Sequence, residues 1–561
     1  MNAAIGHPTG ERIAESTEAR DNLGYAILHL IAGYGVRTIF GIPGTHNLEF
    51  YRHFDRLGIH AVTARHEQGA GYAADAWGKR TRLPGVVIAT SGPGLLNALS
   101  AAGTAYCESR PMIVLAPGAP LGSENAELGS LHETKNQLQA AGGVFDVAHR
   151  VTNAQEALDA VHDAFERFSL TRPRPIYIEV PLDLLEATVD SALVVEAPRE
   201  IGPVPMPAAE QLSEVADLLA SAKRPLIIAG GGSIDAGEQL QSVAERLSSP
   251  VFSTLNGKGV LPESHPLSLG AELRLEAALD CVRDADVLLV LGSKLGAAER
   301  RGRAIEANGK VIRVDILDSQ RDRNLRSDCA LIGDTRTILA AIDRELKKRE
   351  IQSKPQNIPA MRKRFAGEAA EFDPIADALS ARIVSALPQG VMVSGDSSQI
   401  FFNGVGSRLQ LEEPCAFMYM ATYCTLGYAL PAAIGAKIAD PGRPSVAITG
   451  DGALMFSVQE LQTATEQGLD ITVICVDNGG YGEIRQNEID RSIVPVGVNL
   501  SQPNWPLLAE AFGGKGYAVR SEDQLEQTIR DAIAAPGVTL VHVPMDLFAA
   551  SQPLAASSSG K

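Results

Sequence analysis

The sequence predicts an α/β protein of three doubly wound domains, each built on a parallel sheet with helices on both faces. Short apolar strands recur along the whole chain, alanine-rich helical patterns separate them, and two linkers divide the series into thirds. Strands that alternate with helices form parallel sheets, because a helix supplies the crossover that a parallel pair needs. The linkers are the proline-rich 196–210 and the charged 345–365, so the predicted domains are 15–190, 205–345 and 370–550.

Each predicted strand is a short apolar run bounded by turn residues, typical of a strand buried in a parallel sheet. The first third contributes 37–43, 60–66, 85–92, 111–118 and 175–181; the second contributes 225–232, 250–257, 286–293 and 310–316; the last contributes 390–398, 445–452, 470–478 and 539–546.

Composition excludes several classes of function. The net charge of −17 lacks the basic face of a nucleic-acid-binding protein, so no nucleic-acid partner is expected. No apolar run approaches the ~18–20 residues of a membrane span, and the first 17 residues lack the basic start and apolar core of a signal peptide. The six cysteines are scattered without a CxxC pair, which favours a cytoplasmic protein with neither a disulfide framework nor a zinc site.

Several predicted strands end in glycine-rich or polar turns, where parallel sheets bind ligands. Glycine allows a tight turn and a close approach of the backbone to a ligand, although any single turn of this kind is more often structural. The turns are 41–44, 91–94, 230–232, 395–398 and 450–452.

The stretch ITGDGALMF (448–456) places Asp451 between two glycines at the end of a strand. A helical pattern (453–469) and a strand ending at Asn478 follow, so Asp451 and Asn478 should end neighbouring parallel strands. Their oxygens and a backbone carbonyl form an oxygen-only set that suits Mg²⁺ or Ca²⁺, and the helix after Gly452 offers N–H groups to a phosphate. The residues therefore predict a metal–diphosphate site, with a chance GDG turn as the alternative.

A GDG motif with an Asn 27 positions after its Asp resembles the Mg²⁺- and diphosphate-binding pattern of thiamine diphosphate (ThDP) enzymes. The chain is similar from about Gly33 to Val543 to the acetolactate synthase and 2-oxo acid decarboxylase superfamily. The resemblance implies a ThDP pyrimidine-binding domain, a central Rossmann-like domain and a ThDP diphosphate-binding domain, in that order. It is carried by RHEQGAGYAADAWGK (65–79), TSGPGLLNAL (90–99), NGKGVLPESHPLSLG (256–270) and YCTLGYALPAAIGA (423–436).

The resemblance implies roles for residues around the cofactor rings. Glu67 matches the glutamate that activates the aminopyrimidine, which then removes the thiazolium proton; the alternative is a surface Glu at a helix start. Leu426 matches the bulky apolar residue between the two rings. Cys424 would offer its backbone carbonyl to the pyrimidine amino group, at a position where many relatives have glycine.

The resemblance also implies how the diphosphate end is held. Asp451, Asn478 and the backbone oxygen of Gly480 would bind Mg²⁺. In this family different subunits hold the two ends of the cofactor, which implies a homodimer or homotetramer with its active sites at subunit interfaces. The other candidate contacts are the backbone N–H groups of Gly452 and Ala453, the hydroxyls of Ser397 and Ser398 (alternatively caps or turn residues), and Tyr481.

Three reactions of a 2-oxo acid fit this scaffold. After loss of CO₂ through an ylid and an enamine, protonation gives an aldehyde, addition to a second carbonyl gives a hydroxyketone, and oxidation through a flavin gives an acid. Glu483 and Asn487 replace the methionine and tryptophan typical of acetolactate synthases, which favours a decarboxylase over a carboligase. GAELRLEAAL (270–279) replaces a flavin-holding segment, so FAD is not expected despite the glycine turn in IIAGGGSIDAG (227–237).

Within the superfamily, the chain looks most like decarboxylases of 5-guanidino-2-oxopentanoate, the 2-oxo acid of arginine. The shared segments are FGIPGTHNLEFYR (40–52), GSLHETKNQ (129–137) and GYGEIR (480–485). Glu483 could pair with a cationic substrate tail, protonate the enamine, or interact with a helix N-terminus. His46 could relay protons or be a structural turn residue, while Gln137 and His132 could close over the site.

Overall fold

The computed structural model describes residues 21–549, so the predicted ends at 15 and 550 and the first 17 residues lie outside the described part. The fold prediction is confirmed: the chain forms three six-stranded sheets, and every strand pair within them is parallel. Among residues 21–549, no helix is both long and apolar enough to cross a membrane.

The first sheet has the order β2-β1-β3-β4-β6-β5. Its strands are β1 (Thr38–Gly41), β2 (His60–Thr63), β3 (Gly85–Ile88), β4 (Met112–Gly118), β5 (Val147–Arg150) and β6 (Pro175–Pro181). The helices are α1 (Leu23–Gly33), α2 (Leu48–Tyr51), α3 (Phe54–Leu57), α4 (Glu67–Thr81), α5 (Pro93–Glu108), α6 (Gln137–Gly142), α7 (Ala154–Leu170), α8 (Leu182–Glu186) and α9 (Ser191–Val194).

The central sheet has the order β12-β11-β10-β7-β8-β9. Its strands are β7 (Pro225–Ala229), β8 (Val251–Ser253), β9 (Ser268–Gly270), β10 (Val287–Leu291), β11 (Lys310–Asp315) and β12 (Cys329–Ile332). The helices are α10 (Ala209–Ser221), α11 (Gly237–Arg246), α12 (Glu276–Asp284), α13 (Thr335–Leu346) and α14 (Ile358–Phe372).

The third sheet has the order β14-β13-β15-β16-β18-β17, which repeats the topology of the first. Its strands are β13 (Met392–Gly395), β14 (Phe417–Met418), β15 (Ser445–Gly450), β16 (Ile471–Asp477), β17 (Lys515–Ala518) and β18 (Val538–Pro544). The helices are α15 (Pro374–Ala386), α16 (Gly406–Arg408), α17 (Ala429–Ala439), α18 (Asp451–Leu454), α19 (Glu460–Glu466), α20 (Gly482–Asp490), α21 (Trp505–Ala511), α22 (Leu525–Ala534) and α23 (Asp546–Ala549).

All thirteen strands predicted from the sequence are present, and the five that the prediction missed (β5, β9, β12, β14 and β17) lie at sheet edges. An edge strand is covered on fewer sides and is often short, so it needs no continuous apolar run. β5 and β17, for example, are only partly buried along most of their length.

Two local predictions were wrong. The pattern 453–469 was expected to be one helix, but α18 and α19 are separated by turns in which Met455 and Phe456 are about half exposed. The charged segment 345–365 was expected to be a linker, but its second half begins α14. Phe365 of α14 is buried against Phe252 of the central sheet, with ring centroids 5.7 Å apart, so an amphipathic helix forms there.

In each sheet, strand order reverses between two neighbouring strands, and this switch point is where such sheets bind ligands. The switch points lie between β1 and β3, between β7 and β10, and between β13 and β15. The predicted glycine-rich turns follow these strands directly. The sheet topology therefore places these glycine-rich turns where a ligand-binding site is expected.

Candidate cofactor site

A cavity of about 270 Å³ opens at the carboxyl ends of β13, β15 and β16. It gathers the cofactor and metal candidates of the third domain, including Glu483. All of its lining comes from residues 397–545, so no first-domain residue contributes to it. The lining residues are Ser397, Ser398, Gln399, Ile400, Phe402, Cys424, Leu426, Gly450, Asp451, Gly452, Ala453, Val476, Asn478, Gly480, Tyr481, Gly482, Glu483, Ile484 and Met545.

Three acceptor oxygens converge on one side of this cavity. The Asn478 amide donates its nitrogen to Gln399 Oε1 at 3.1 Å, so its oxygen faces the carbonyl oxygen of Gly480 at 2.9 Å and Asp451 Oδ1 at 3.2 Å. Turning the amide by 180° would let its nitrogen donate to both oxygens. A cation is the other way to hold them together, since adjacent ligands of octahedral Mg²⁺ lie about 3 Å apart. The donor set and its spacing fit Mg²⁺.

Asp451 is 1% exposed, although its side chain is ionisable. Burial, and then the neighbouring Asp477 carboxylate, raises the pKa of Asp451 to about 6. Its Oδ2 accepts a hydrogen bond from Gln502 Nε2 at 2.6 Å, while Oδ1 faces the Asn478 oxygen. A divalent cation beside Oδ1 would stabilise the ionised form that burial disfavours.

The turn after β13 is fixed to the end of β15 through Ser398. The Ser398 hydroxyl donates to the buried Asp396 and accepts from the backbone N–H of Gly450 at 2.7 Å. Thr449 also donates to Asp396, at 2.6 Å. Burial raises the pKa of Asp396 to about 6. Ser398 therefore joins the two turns of the switch point, and Ser397 lines the cavity beside it.

Two glycines of the site have no room for a side chain. A Cβ at Gly480, whose φ is +132°, would lie 2.2 Å from the carbonyl oxygen of Val498. A Cβ at Gly452 would lie 2.9 Å from the ring of Tyr481. Tyr481 thus covers the turn that begins α18, where the backbone N–H groups of Gly452 and Ala453 are predicted to bind phosphate.

The predicted ring-contacting residues lie on the segment between β14 and α17. Leu426 lines the cavity, and so does Cys424, whose φ of +53° is uncommon for a residue with a side chain. The Cys424 thiol donates to the carbonyl oxygen of Ala421 at 3.2 Å. Burial, and then the charge of Glu108, raises the pKa of this thiol.

Glu483 is an exposed residue in the first turn of α20 and lines the cavity. One of its oxygens accepts from Gln399 Nε2 at 3.0 Å. Arg301 of the central domain is close enough for the Glu483 charge to influence its pKa, which burial lowers to about 10. The Glu483 carboxylate is therefore oriented by Gln399 and lines the cavity.

The first-domain candidates lie around the switch point between β1 and β3. Glu67 is the first residue of α4 and is 7% exposed, and its Oε2 accepts from Asn97 Nδ2 at 3.0 Å. The His66 ring precedes it and caps the helix by accepting from Gln68 N at 3.1 Å. Glu67 therefore lies buried at a helix N-terminus, with a single side-chain donor from the facing helix α5.

His46 and Ser91 connect the turns after β1 and β3. Their Nδ1 and Oγ atoms are 2.6 Å apart, and the ring of His132 meets that of His46 edge-on at 5.1 Å between centroids. Burial, and then the charge of His132, lowers the pKa of His46. Gln137 accepts from Gly92 N at 2.6 Å and donates to Pro117 O and Tyr177 Oη, so its amide fixes the fold around this turn.

Sequence reasoning missed the residues that support the third-domain cavity and those that support the first-domain candidates. Asp396 and Gln399 lie in the loop GDSSQ (395–399), beside the candidates Ser397 and Ser398, but were assigned no role, and Ser91 was noted only as part of a turn. Gln502 lies 51 positions after Asp451 and gave no local signal. Each becomes recognisable only through its hydrogen-bond partner.

In the central domain, the glycine turn 230–232 packs closely against the backbone of Gly292. A Cβ at Gly230 would lie 2.4 Å from the carbonyl oxygen of Gly292, and a Cβ at Gly232 would lie 2.8 Å from the Gly292 Cα. Nearby, the guanidinium of Arg172 from the first domain reaches Asp315, at the end of β11, at 3.1 Å and 3.2 Å. Close backbone packing requires glycine at positions 230 and 232.

Comparison with known proteins identifies the family. Residues 21–141, 212–342 and 401–543 match the N-terminal TPP binding, central and C-terminal TPP binding domains of thiamine pyrophosphate enzymes. A probable 2-ketoarginine decarboxylase of Pseudomonas aeruginosa is 35% identical over 93% of each chain. A probable acetolactate synthase large subunit of Methanocaldococcus jannaschii is 30% identical (93% of this chain, 91% of the relative), and an oxalyl-CoA decarboxylase of Escherichia coli is 29% identical (94% and 95%). The chain belongs to the thiamine pyrophosphate enzyme family.

Proposed function

We propose that the protein is a ThDP- and Mg²⁺-dependent decarboxylase that converts 5-guanidino-2-oxopentanoate into the corresponding aldehyde. The observation that carries this proposal is the cavity that combines the oxygen set of Asp451, Asn478 and Gly480 with the carboxylate of Glu483. The relative named as a probable 2-ketoarginine decarboxylase supports the same substrate, which is the 2-oxo acid of arginine.

ThDP supplies a carbanion that adds to the carbonyl carbon of a 2-oxo acid and takes up the electrons released with CO₂. Asp451, Asn478 and Gly480 would hold Mg²⁺ against its diphosphate, with backbone N–H groups at Gly452 and Ala453. Leu426 and Cys424 would contact the rings. Their position along one cavity supports this assignment.

Glu67 would bind the pyrimidine nitrogen with its buried carboxylate, which Asn97 orients. His46 would pass a proton towards the substrate, since its ring is hydrogen-bonded to Ser91 and imidazole can both accept and donate a proton. Gln137 would act as a positioning residue, since its amide makes three hydrogen bonds within the first domain.

Glu483 would bind the guanidinium of the substrate. A carboxylate and a guanidinium form paired, charge-assisted hydrogen bonds, which are stronger than those between neutral groups. Gln399 holds one carboxylate oxygen of Glu483 at 3.0 Å and so fixes its direction.

We also propose a homodimer or homotetramer whose active sites combine two subunits. The cavity is lined by residues 397–545 alone, whereas Glu67 and His46 belong to the first domain and do not line it. A second copy would bring its Glu67 to face this cavity. A cytoplasmic location is part of the same proposal.

The test is a panel of 2-oxo acids incubated with the purified protein, ThDP and Mg²⁺. CO₂ release is measured, and each product is identified by mass. We expect 5-guanidino-2-oxopentanoate to be turned over faster than pyruvate or a branched 2-oxo acid, with an aldehyde as product. A hydroxyketone product would instead support the acetolactate synthase-like carboligase, which the relatives of that name make the second candidate.

A further inference from the structure

Residues 419–426, which we call the cofactor turn, run between β14 and α17 and carry both Cys424 and Leu426. Within the turn, Cys424 N donates to the carbonyl oxygen of Met420 at 3.3 Å, and the Cys424 thiol donates to Ala421. A cofactor that must contact Cys424 and Leu426 together needs this irregular segment to hold one shape. The restraint has to come from its neighbours, because the turn belongs to no helix or strand.

Two buried side chains at the end of α5 hold the cofactor turn. Glu108 Oε1 accepts from Thr422 N at 2.7 Å, and Arg110 Nη2 donates to the carbonyl oxygen of Tyr419 at 2.6 Å. Glu108 is 7% exposed and Arg110 is 5% exposed. Arg110 is itself paired with Asp75 of α4 at 2.9 Å, so its position is fixed from the first domain.

The central domain completes this arrangement through Asn256. Its Nδ2 donates to Glu108 Oε2 at 2.6 Å, and its Oδ1 accepts from Arg110 Nη2 at 3.3 Å. Asn256 lies in a short 3₁₀ helix, Leu255–Gly257, that is pressed against the sheet: a Cβ at Gly257 would lie 2.2 Å from the carbonyl oxygen of Ala229. The Asn256 backbone therefore has little freedom to move.

We propose that Asn256 and Glu108 are positioning residues through which the central domain fixes the cofactor turn. Asn256 donates to one carboxylate oxygen of Glu108, and Thr422 N donates to the other. Glu108 of the first domain thereby connects the central domain to the third domain. This gives a role to the NGKG segment, which contributes nothing to the cavity lining. The inference rests on the proposed contact of Cys424 and Leu426 with ThDP.

Asn256→Ala removes both hydrogen bonds of the amide and leaves Glu108 Oε2 and Arg110 without that partner. In the protein without cofactor, we expect faster backbone hydrogen–deuterium exchange over residues 419–426, with the sheets unchanged. We also expect ThDP to bind about tenfold more weakly by calorimetry with Mg²⁺, since buried hydrogen bonds of this kind are worth about that factor. Glu108→Gln should act in the same direction, and the double variant should lose less than the sum of the two single losses.

Asp343→Asn is the matched control, because Asp343 is a buried carboxylate of the central domain that pairs with Arg246 at 2.9 Å and Lys347 at 2.8 Å, both in the same domain. It should lower thermal stability without altering exchange over 419–426 or ThDP affinity. If Asn256→Ala does not fold, Asn256→Ser, which keeps a donor, is measured in the same way.

The proposal is overturned if hydrogen–deuterium exchange over residues 419–426 is the same in Asn256→Ala as in the wild type. It is also overturned if exchange in the variant is faster but its ThDP affinity is unchanged. A wild-type protein that does not bind ThDP would contradict the proposed function, and the exchange measurement would still show whether Asn256 holds the turn.

Discussion

The side-chain amide of Asn478 lies 3.2 Å from Oδ1 of Asp451, across the ends of two adjacent parallel strands. The carbonyl oxygen of Gly480 lies 2.9 Å from the same amide atom, so either an amide N–H donates to both oxygens or a cation lies among three acceptor oxygens. The strand pairing of β15 and β16 creates this approach, although the two residues are 27 positions apart.

Asp451→Ala should abolish retention of ThDP, because the metal ligand and the support of the diphosphate are lost together. Isothermal calorimetry with Mg²⁺ present measures the loss, and EDTA should reproduce it in the wild type until Mg²⁺ is restored. Asp470→Ala is the control, since Asp470 lies at the other end of β16 and accepts from Gly537 N. Equal ThDP affinity in wild type and Asp451→Ala would refute the metal assignment.

Glu67→Gln should keep the fold and bind ThDP but lose nearly all turnover, because an amide cannot supply the carboxylate that activates the pyrimidine. The change is isosteric and retains an oxygen to accept from Asn97. Calorimetry measures ThDP binding, and CO₂ release measures turnover. Wild-type turnover in the ThDP-loaded variant would contradict the role of Glu67.

Mixing Glu67→Gln with Asp451→Ala should restore activity that neither variant has alone. If each site combines two subunits, unfolding and refolding an equal mixture makes mixed dimers with one intact site, or about a quarter of all sites. The mixture is compared with each variant refolded separately. Absence of any recovery, with mixed dimers present by mass spectrometry, would place both residues in a site made by one subunit.

Glu483→Gln should lower kcat/KM for 5-guanidino-2-oxopentanoate by roughly 10²–10³, or about 3–4 kcal/mol, since it removes the charge and keeps the shape. Pyruvate should be affected far less. Glu488→Gln, on the same helix but outside the cavity lining, is the matched control. An equal loss on both substrates would make Glu483 a proton donor or a structural cap.

His53 should make the protein less stable as the pH falls. It is buried, its Nε2 lies 2.8 Å from Asn22 Oδ1, and burial, followed by Arg52 and Arg56, lowers its pKa to about 4. The unfolded chain, with a pKa near 6.5, binds the proton first, so stability is retained above pH ~6.5 and lost towards pH ~4. Discounted for solvent screening, the loss is about 1–2 kcal/mol.

Urea denaturation between pH 4 and 7 measures this loss. His53→Gln keeps a donor for Asn22 but cannot titrate, so its stability should vary less with pH over that range. An identical pH dependence in wild type and variant would exclude His53 as the cause.

The sequence by itself determined the architecture and the placement of Asp451 and Asn478 at the ends of neighbouring strands. Buried parallel strands are continuous apolar runs, so all thirteen predicted strands were found, and the edge strands that lack such runs were missed. Asp451 and Asn478 could be paired because one β–α–β unit fixes where both strands end. The ThDP family also followed from short motifs, because their residues lie close together in the chain.

Only the tertiary structure decided which side chains act together. Gln399 lies between Asn478 and Glu483, and Ser91 lies beside His46, through contacts that depend on how separate strand ends are arranged. Asn256 reaches Glu108 from another domain, 148 positions away. Local sequence periodicity indicates whether a residue is buried. It does not indicate which residue will be its hydrogen-bond partner, because that depends on how the sheets pack together.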